Sequence, residues 1–153
     1  MGALKKVYLL CMIFFACSEE DFDRHDFRDD LTIQTINGTW KVISYEDFIA
    51  NTVTTKNDDN SWGFDVIITF DDIVTPHEIS GRNTTNTVFG EFSYRPVRTF
   101  ELHRLGTTKV GQPEWGDEFS RALLDGIIEF KVNTSNLRIY YYGKNRSVTL
   151  IKE

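Results

Sequence analysis

Cysteine is the first scarcity in this sequence: only Cys11 and Cys17 are present among 153 residues, and both lie near the amino end. Beyond Cys17 the chain therefore has no disulfide and no thiol nucleophile. Histidine is also rare, with three in the chain. No serine lies in a Gly-x-Ser-x-Gly motif, and no Gly-rich phosphate-binding loop is present. These absences argue against an enzyme, and we expect no catalytic residue, no cofactor and no metal ion.

Basic residues are outnumbered by acidic ones, which gives a net charge of −6 and a pI near 5.1. No basic cluster is larger than two neighbouring residues, whereas binding to phosphate backbones needs clustered lysine and arginine. We therefore expect no nucleic-acid partner. Proline and methionine are scarce, at 3 and 2, while phenylalanine and tyrosine are plentiful, at 12 and 6. This composition favours strands over a helical bundle, and the length suits one domain, which we expect to be a monomer.

Long apolar runs are missing too, because the longest is the ten-residue stretch VYLLCMIFFA. Spanning a bilayer as a helix takes about 20 apolar residues. Lys5 and Lys6 precede this run, which predicts a secretory signal peptide over residues 1–16. The tetrapeptide FFAC, ending at Cys17, resembles a bacterial lipobox, with Phe14 where leucine is commoner. This resemblance implies cleavage before Cys17 and acylation of that cysteine. The alternatives are a cleaved signal without lipid and an uncleaved start; Cys11 is a weaker acylation site, because bulky Leu10 precedes it.

The segment after Cys17 is strongly acidic and begins SEEDFD. It cannot bury enough apolar surface to order itself, so residues 17–36 are predicted to form a flexible tether. This acidic run resembles the surface-export signal of lipoproteins in some Gram-negative bacteria. The resemblance implies an outer-membrane lipoprotein of the cell envelope, facing either the periplasm or the outside.

From Asn37 onward the apolar residues recur with the period of two that is typical of strands. Seven such runs are present, and short polar turns such as NTSN and GKN separate the last of them. The inward positions predicted along these runs are Trp40 and Val42; Phe64, Val66, Ile68 and Phe70; Val88, Gly90, Phe92 and Tyr94; Phe100 and Leu102; Ile128, Phe130 and Val132; Leu137, Ile139 and Tyr141; Val148 and Leu150. In the first run the pattern places Tyr45 on the opposite face from Trp40.

One segment, QPEWGDEFSRALLDG, breaks this rhythm and predicts a helix. Pro113 is tolerated in a first turn, and Trp115, Phe119 and Leu123 recur at helical spacing. An antiparallel sheet of this length with one helix predicts a small β-barrel over residues 37–153, with the helix closing one open end.

Three segments and the closing hairpin resemble the META domain, the fold of HslJ-type heat-shock lipoproteins. NGTWKVISY matches the first strand of that family, and NTVFGEFSY matches its Asn-x-x-Phe-Gly-x-Tyr segment, with Phe92 in place of tyrosine. TTKVGQPEWGDEFSRAL matches its Pro-Glu segment and the following helix, and NLRIYYYGKNRSVTLIK matches its last hairpin. The matching residues are Gly38, Trp40, Asn86, Phe89, Gly90, Thr108, Pro113, Glu114, Phe119 and Leu123.

The chain departs from this family where many members carry two cysteines, because Thr85 and Gln112 occupy those positions. The stretch between Asn51 and Trp62 also looks longer than is usual. The Gly-Thr-Trp start is shared with lipocalin-like barrels, which bind small apolar molecules and provide the alternative fold.

Four residues are candidate contacts. Arg82 lies beside the RNTTN stretch, which we interpret as a structural turn rather than a binding site; an arginine on such a polar loop suits a carboxylate. Tyr140 and Tyr142 are predicted on the strand face opposite Tyr141, where they either form a contact surface or stiffen the strand. Trp62 ends the long loop. Glu101 and His103 share a strand face, which fits cross-strand pairing better than acid–base chemistry.

Three functions remain open. The first is a membrane-tethered, non-catalytic META-like domain that binds a protein or supports the envelope under stress. The second is an inhibitor of peptidases, for which the loop from Asn51 to Trp62 would have to be extended. The third is a lipocalin-like carrier of a small ligand, which requires an open interior.

Overall fold

The computed structural model describes residues 35–153, which form nine strands and two helices. Their bounds, in chain order, are β1 Gly38–Asp47, β2 Thr52–Thr55, α1 Asp58–Ser61, β3 Val66–Asp71, β4 His77–Asn83, β5 Asn86–Arg95, β6 Thr99–Thr107, α2 Glu114–Leu123, β7 Ile127–Val132, β8 Asn136–Tyr141 and β9 Arg146–Lys152. The predicted signal peptide, Cys17 and nearly all of the predicted tether lie outside the described residues. No helix in the described part of the chain is both long and apolar enough to span a membrane.

Eight of the strands form a closed antiparallel barrel. The order runs from β1 through β3 to β9 in sequence, and β9 pairs back with β1 to close the circle. The ninth strand, β2, pairs with β1 as a short flap beyond the barrel. The mainly β fold with a small antiparallel barrel is therefore confirmed. The sequence pattern missed β2 and β4, and it missed the four-residue helix α1.

The strand β1 shows why one predicted face is wrong. A bulge between Val42 and Ser44 shifts the register with β9. Beyond an extra residue the alternation of faces is reversed, so Tyr45 turns inward. Tyr45 is buried with Trp40 and Val42, while Ile43 stays partly exposed on the outside. Phe64, predicted to face inward, precedes β3 and is also exposed.

The barrel interior is filled by large side chains. The aromatic side chains among those that are 2% exposed or less form one cluster, in which most neighbouring rings meet edge to face or tilted. These residues are Trp40, Phe70, Phe92, Phe100, Trp115, Phe119, Phe130 and Tyr141. Burial of this much apolar surface is the main source of stability in a domain of this size.

The helix α2 closes one end of the barrel, as the sequence predicts. Its stripe of Trp115, Phe119, Ala122 and Leu123 is buried. Gly116 is costly in a helix, but a Cβ there would lie 2.4 Å from Thr84 Oγ1. The missing side chain therefore lets the helix pack closely against the turn between β4 and β5.

The two ends of the barrel differ in composition. The upper end is the one where β1 finishes at Asp47, and it carries α1, α2 and the turns after β1, β4 and β8. The lower end is the one where β1 starts at Gly38, and it carries the entering chain. Ile36 is fully buried there, so the folded unit includes a residue that the sequence analysis placed in the tether.

Candidate functional site

A cleft of about 270 Å³ opens at the upper end of the barrel, between the β1–β2 flap and α2. Thr52 and Thr54 of the flap form one wall, and Glu114 and Glu118 of α2 form the other. The lining also includes Glu46 and Asp47 on β1, Asn60 on α1, and Arg146 on β9. The cleft therefore combines four carboxylates with one arginine.

The floor of the cleft is aromatic. The Tyr45 hydroxyl donates to the Trp115 carbonyl at 2.7 Å, and the two rings meet at a steep angle with centroids 4.6 Å apart. Burial raises the pKa of Tyr45 well above its ordinary value. Tyr141 completes the floor. The indole N–H of Trp115 is buried without an acceptor among the described residues. Buried N–H groups without a partner are rare in folded proteins.

Glu118 is the most heavily bonded group in the cleft. Its Oε1 accepts from the Tyr141 hydroxyl at 2.7 Å and from Arg146 Nη1 at 2.9 Å, and its Oε2 accepts from Arg121 Nη1 at 2.5 Å. Burial acts to raise the pKa of Glu118, but these hydrogen bonds outweigh it and hold the pKa below its ordinary value. Glu118 therefore links α2 to β8 and β9 as a charged group.

Arg146 is held between two carboxylates. Its Nη1 bonds Glu118, and its Nε and Nη2 lie 3.0 and 2.9 Å from Asp47 Oδ2. Asp47 also accepts from the amide of Ala50, which contributes most to lowering the pKa of Asp47. The single arginine of the cleft is thus matched by two acids, and Glu114, exposed on the first turn of α2, adds charge that Arg146 does not offset.

The four candidate contact residues do not converge on one site. Arg82 is exposed but lies within β4, so its predicted place on a loop is wrong. Tyr140 lies on the outer wall, where it stacks on Phe48 at 6.5 Å between ring centroids. Tyr142 is in the turn after β8, with φ 51°, rather than on the predicted strand face. It is 44% exposed and lies beside Arg146, while Trp62 follows α1 in the left-handed conformation and is 55% exposed.

The RNTTN stretch holds the upper end of the fold together. Asn83 Nδ2 donates to the Gly116 carbonyl at 2.8 Å and to Ser120 Oγ at 2.6 Å, which fixes α2 on the barrel. Asn86 accepts from the amide of Val110 at 2.8 Å and donates to the Val110 carbonyl at 2.9 Å. Its side chain thus braces the loop before α2. Both asparagines therefore have structural roles at this turn, as the sequence interpretation predicts.

The Phe-Gly pair that follows Asn86 is structural as well. Phe89 is on the outside of β5, and its ring lies over Gly106 of β6, where a Cβ would come within 2.3 Å of ring atoms. A Cβ on Gly90 would lie 2.0 Å from the Arg104 carbonyl oxygen. Phe89 covers a strand glycine, and Gly90 allows two strands to approach closely.

Glu101 and His103 make separate contacts across the β5–β6 hairpin. Glu101 pairs with Arg95, whose hydrogen bond lowers the pKa of Glu101, and the His103 ring nitrogen Nε2 lies 2.7 Å from Ser93 Oγ. These contacts are the cross-strand pairing that the sequence predicts.

The positions of Thr85 and Gln112 permit a direct test of the META resemblance. Thr85 Oγ1 donates to the carbonyl of Gly111 at 3.0 Å, so the turn after β4 touches the residue next to Gln112. We expect the double substitution Thr85→Cys/Gln112→Cys to form a disulfide under oxidising conditions. The bridge should raise the free energy of unfolding by about 3 kcal/mol. Thiol titration and urea unfolding with and without reductant would measure both effects. Two more free thiols than in the wild type after oxidation would contradict the resemblance at this loop.

Sequence reasoning missed the cleft residues because they come from distant segments. The sequence alone identifies Glu114 only as part of the META-like Pro-Glu segment, and Tyr141 only as an inward strand position. One signal was present: a buried tyrosine hydroxyl needs a partner, and Glu118 borders the apolar stripe of α2. That pairing becomes visible only once the helix is placed over β8.

Comparisons with known proteins place the fold and not the activity. No family model and no curated protein matches this chain. Among solved structures, an NMR structure of a protein from Burkholderia xenovorans is similar with a TM-score of 0.58 and 14% identity, over 76% of this chain and 82% of that chain. A DUF4847 family protein from Bacteroides vulgatus is similar with a TM-score of 0.53 and 18% identity, over 76% of this chain and 93% of that chain. At such identities the likeness shows a shared barrel fold alone.

Proposed function

We propose that this chain is a cell-envelope lipoprotein whose META-like barrel is a non-catalytic module that binds a protein partner. The observation that carries this proposal is that the chain entry and the cleft lie at opposite ends of the barrel. The chain enters the barrel at the lower end, while the acidic cleft and the β1–β2 flap lie at the upper end. A lipid on Cys17 would therefore be attached through the end of the barrel opposite the cleft.

The entering chain is fixed firmly at the lower end. The Tyr94 hydroxyl accepts from the amide of Ile36 at 2.9 Å and donates to Asp72 at 2.8 Å, and Thr35 bonds both side chains. Burial raises the pKa of Tyr94 to about 12. The ten residues of β1 then cover roughly 30 Å at about 3.3 Å per residue, before strand tilt is considered. This length separates the point where the chain enters the barrel from the cleft.

The filled interior supports binding at the surface rather than inside the barrel. Phe70, Phe92, Phe100 and Phe130 meet at centroid distances of 5.6 to 6.0 Å within the barrel. A lipocalin-like carrier needs a lumen that holds a ligand, and these rings occupy that space. The filled interior therefore argues against the carrier alternative.

The peptidase-inhibitor alternative depended on an extended loop between Asn51 and Trp62. In this segment β2 is paired with β1, and Asp58–Ser61 form α1, capped by Asn57. Trp62 then takes the left-handed conformation. The segment is therefore folded into a paired strand and a capped helix rather than one long extended loop, which weakens this alternative.

Anchoring is tested by the substitution Cys17→Ala. Acylation of Cys17 predicts that the wild-type protein sediments with membranes and that the variant moves to the soluble fraction, since two or more chains make anchoring stable. Cell fractionation with immunoblotting measures the distribution, with Cys11→Ala as the control that should stay in the membrane. A Cys17→Ala protein that remained firmly in the membrane would overturn the lipoprotein proposal.

Partner binding is tested by affinity capture with residues 31–153 as bait and the producing bacterium's envelope and secreted proteins as prey. Mass spectrometry should recover an envelope protein in an amount comparable to the bait. Recovery of a single peptidase would instead support the inhibitor alternative. Recovery of no protein, followed by a small ligand in native mass spectrometry, would support the carrier alternative.

A further inference from the structure

We infer that the upper-end cleft binds an extended segment of its partner, whose main chain adds as a strand to the free edge of β2 and whose lysine or arginine side chain enters the cleft. This inference rests on the proposed function and specifies the partner's chemistry. It depends on three independent features of the described residues: an open strand edge, the orientation of that strand, and the charge of the cleft.

The strand β2 has an unpaired edge. Among the described strands it pairs with β1 alone, and all four of its residues are exposed. The carbonyl of its last residue, Thr55, accepts from Asn60 Nδ2 at 2.9 Å. Exposed edges invite a further strand, and proteins normally blunt them with charged residues, proline or a covering element. The sequence of β2, Thr-Val-Thr-Thr, contains neither charge nor proline. Lys56, which follows it, is turned towards Asp65 at 2.6 Å.

The orientation of β2 would place side chains of an added strand in the cleft. Thr54 is paired with Tyr45, and Thr52 with Asp47. Residues opposite one another in a ladder share a face, so both threonines face the cleft, and both line it. Every second side chain of a strand added to β2 would lie on that same face, towards Glu114 on the opposite wall.

The charge of the cleft selects a cationic side chain. Arg146 is shared between Asp47 and Glu118, which leaves the carboxylate of Glu114 exposed at the mouth. Asp58 and Asp59 add negative charge on the neighbouring helix α1, whose last turn has no basic residue. The aromatic floor suits the apolar stem of lysine or arginine, and a cation gains further attraction from ring faces.

A second copy of this chain fits the edge less well. Pairing β2 with β2 of another molecule would bring two acidic clefts together, and like charges side by side cost free energy. A basic segment of a different protein has the complementary charge. We therefore commit to an extended basic segment as the occupant.

The test uses the full chain in detergent and synthetic peptides as probes. The peptide acetyl-Thr-Val-Thr-Lys-Thr-Val-Thr-amide should bind about tenfold more tightly than the same peptide with glutamate in place of lysine. Calorimetry or NMR titration measures the difference. N-methylation of one alternate set of residues in the lysine peptide should abolish binding, and N-methylation of the other set should leave binding unchanged. Only every second amide of an added strand faces β2.

The matched variants are Glu114→Lys and Glu78→Lys, which change net charge equally at the upper and lower parts of the barrel. We expect Glu114→Lys to weaken the lysine peptide about tenfold and to favour the glutamate peptide, while Glu78→Lys leaves both affinities almost unchanged. Equal loss in both variants would overturn the inference, because binding would then follow net charge alone. Concentration-dependent dimerisation that Val53→Lys removes would overturn it in favour of a second copy.

Failure of this inference is distinguishable from failure of the proposed function. If an envelope protein is captured equally well by wild type and Glu114→Lys, and the lysine peptide does not bind, then the protein-binding role stands and the β2 site is wrong. If no protein is captured, while the lysine peptide binds and only one alternate set of N-methyl groups abolishes that binding, the strand site stands and the envelope partner is wrong.

Discussion

Replacing Gly90 by alanine is expected to lower the free energy of unfolding by about 3 kcal/mol or to prevent folding, because the barrel has no room for the added methyl group. A Cβ at this position would lie 2.0 Å from the carbonyl oxygen of Arg104 and 3.2 Å from Ile79 Cγ2. The obstacle is the backbone of the neighbouring strand β6, which cannot rotate away as a flexible side chain can. Urea unfolding followed by tryptophan fluorescence measures the loss.

The matched control is Gly111→Ala, since a Cβ on Gly111 meets no atom within 4 Å. This change should alter stability by less than about 0.5 kcal/mol. Equal stability of the two variants would show that β5 and β6 are further apart than described, and it would remove the structural reason for the Phe-Gly pair.

Replacing Glu118 by glutamine is expected to lower stability by about 2 kcal/mol near neutral pH, because the charged acceptor of three hydrogen bonds is lost. The pKa of Glu118 is below its ordinary 4.5 in the folded protein. A group with a depressed pKa stabilises the fold above its unfolded pKa, and this contribution disappears as the pH falls through the folded value. The wild-type and Glu118→Gln proteins should therefore become equally stable in acid.

The measurement is denaturant unfolding of both proteins at a series of pH values, from neutral to well below 4.5. Glu114→Gln is the control on the same helix, since Glu114 is exposed and its loss should cost less than about 0.5 kcal/mol at any pH. A difference between wild type and Glu118→Gln that stayed constant in acid would contradict the role of the carboxylate charge.

The parts of the fold that could be predicted from the sequence are those in which apolar residues keep the period of a strand or of a helix without interruption. In β8, Leu137, Ile139 and Tyr141 are all buried, and the stripe of α2 is buried in the same way. In β4, by contrast, the segment HEISGRN offers only Ile79 as a buried apolar residue. In β2 none of the four residues is buried, so the alternation that identifies a strand is absent.

The bulge in β1 marks a second limit of pattern reasoning. An extra residue between Val42 and Ser44 reverses which side chains of β1 face inward. No residue type in that stretch indicates a bulge. The candidate site depended on this reversal, because Tyr45 reaches the cleft only from the inner face. Apart from the groups on β1, β2 and α1, the lining residues lie on α2, β8 and β9, and only closure of the barrel brings them beside β1.

That closure has a consequence for how the molecule folds. The pairing of Trp40 with Lys152 joins the first barrel strand to the last, so the circle of hydrogen bonds is completed by the two segments farthest apart in the described sequence. Contacts of such long range slow folding, because the loop entropy must be lost before the contacts form. Until they form, β1 and β9 both present open edges, which makes the unclosed barrel the species most prone to association with other chains.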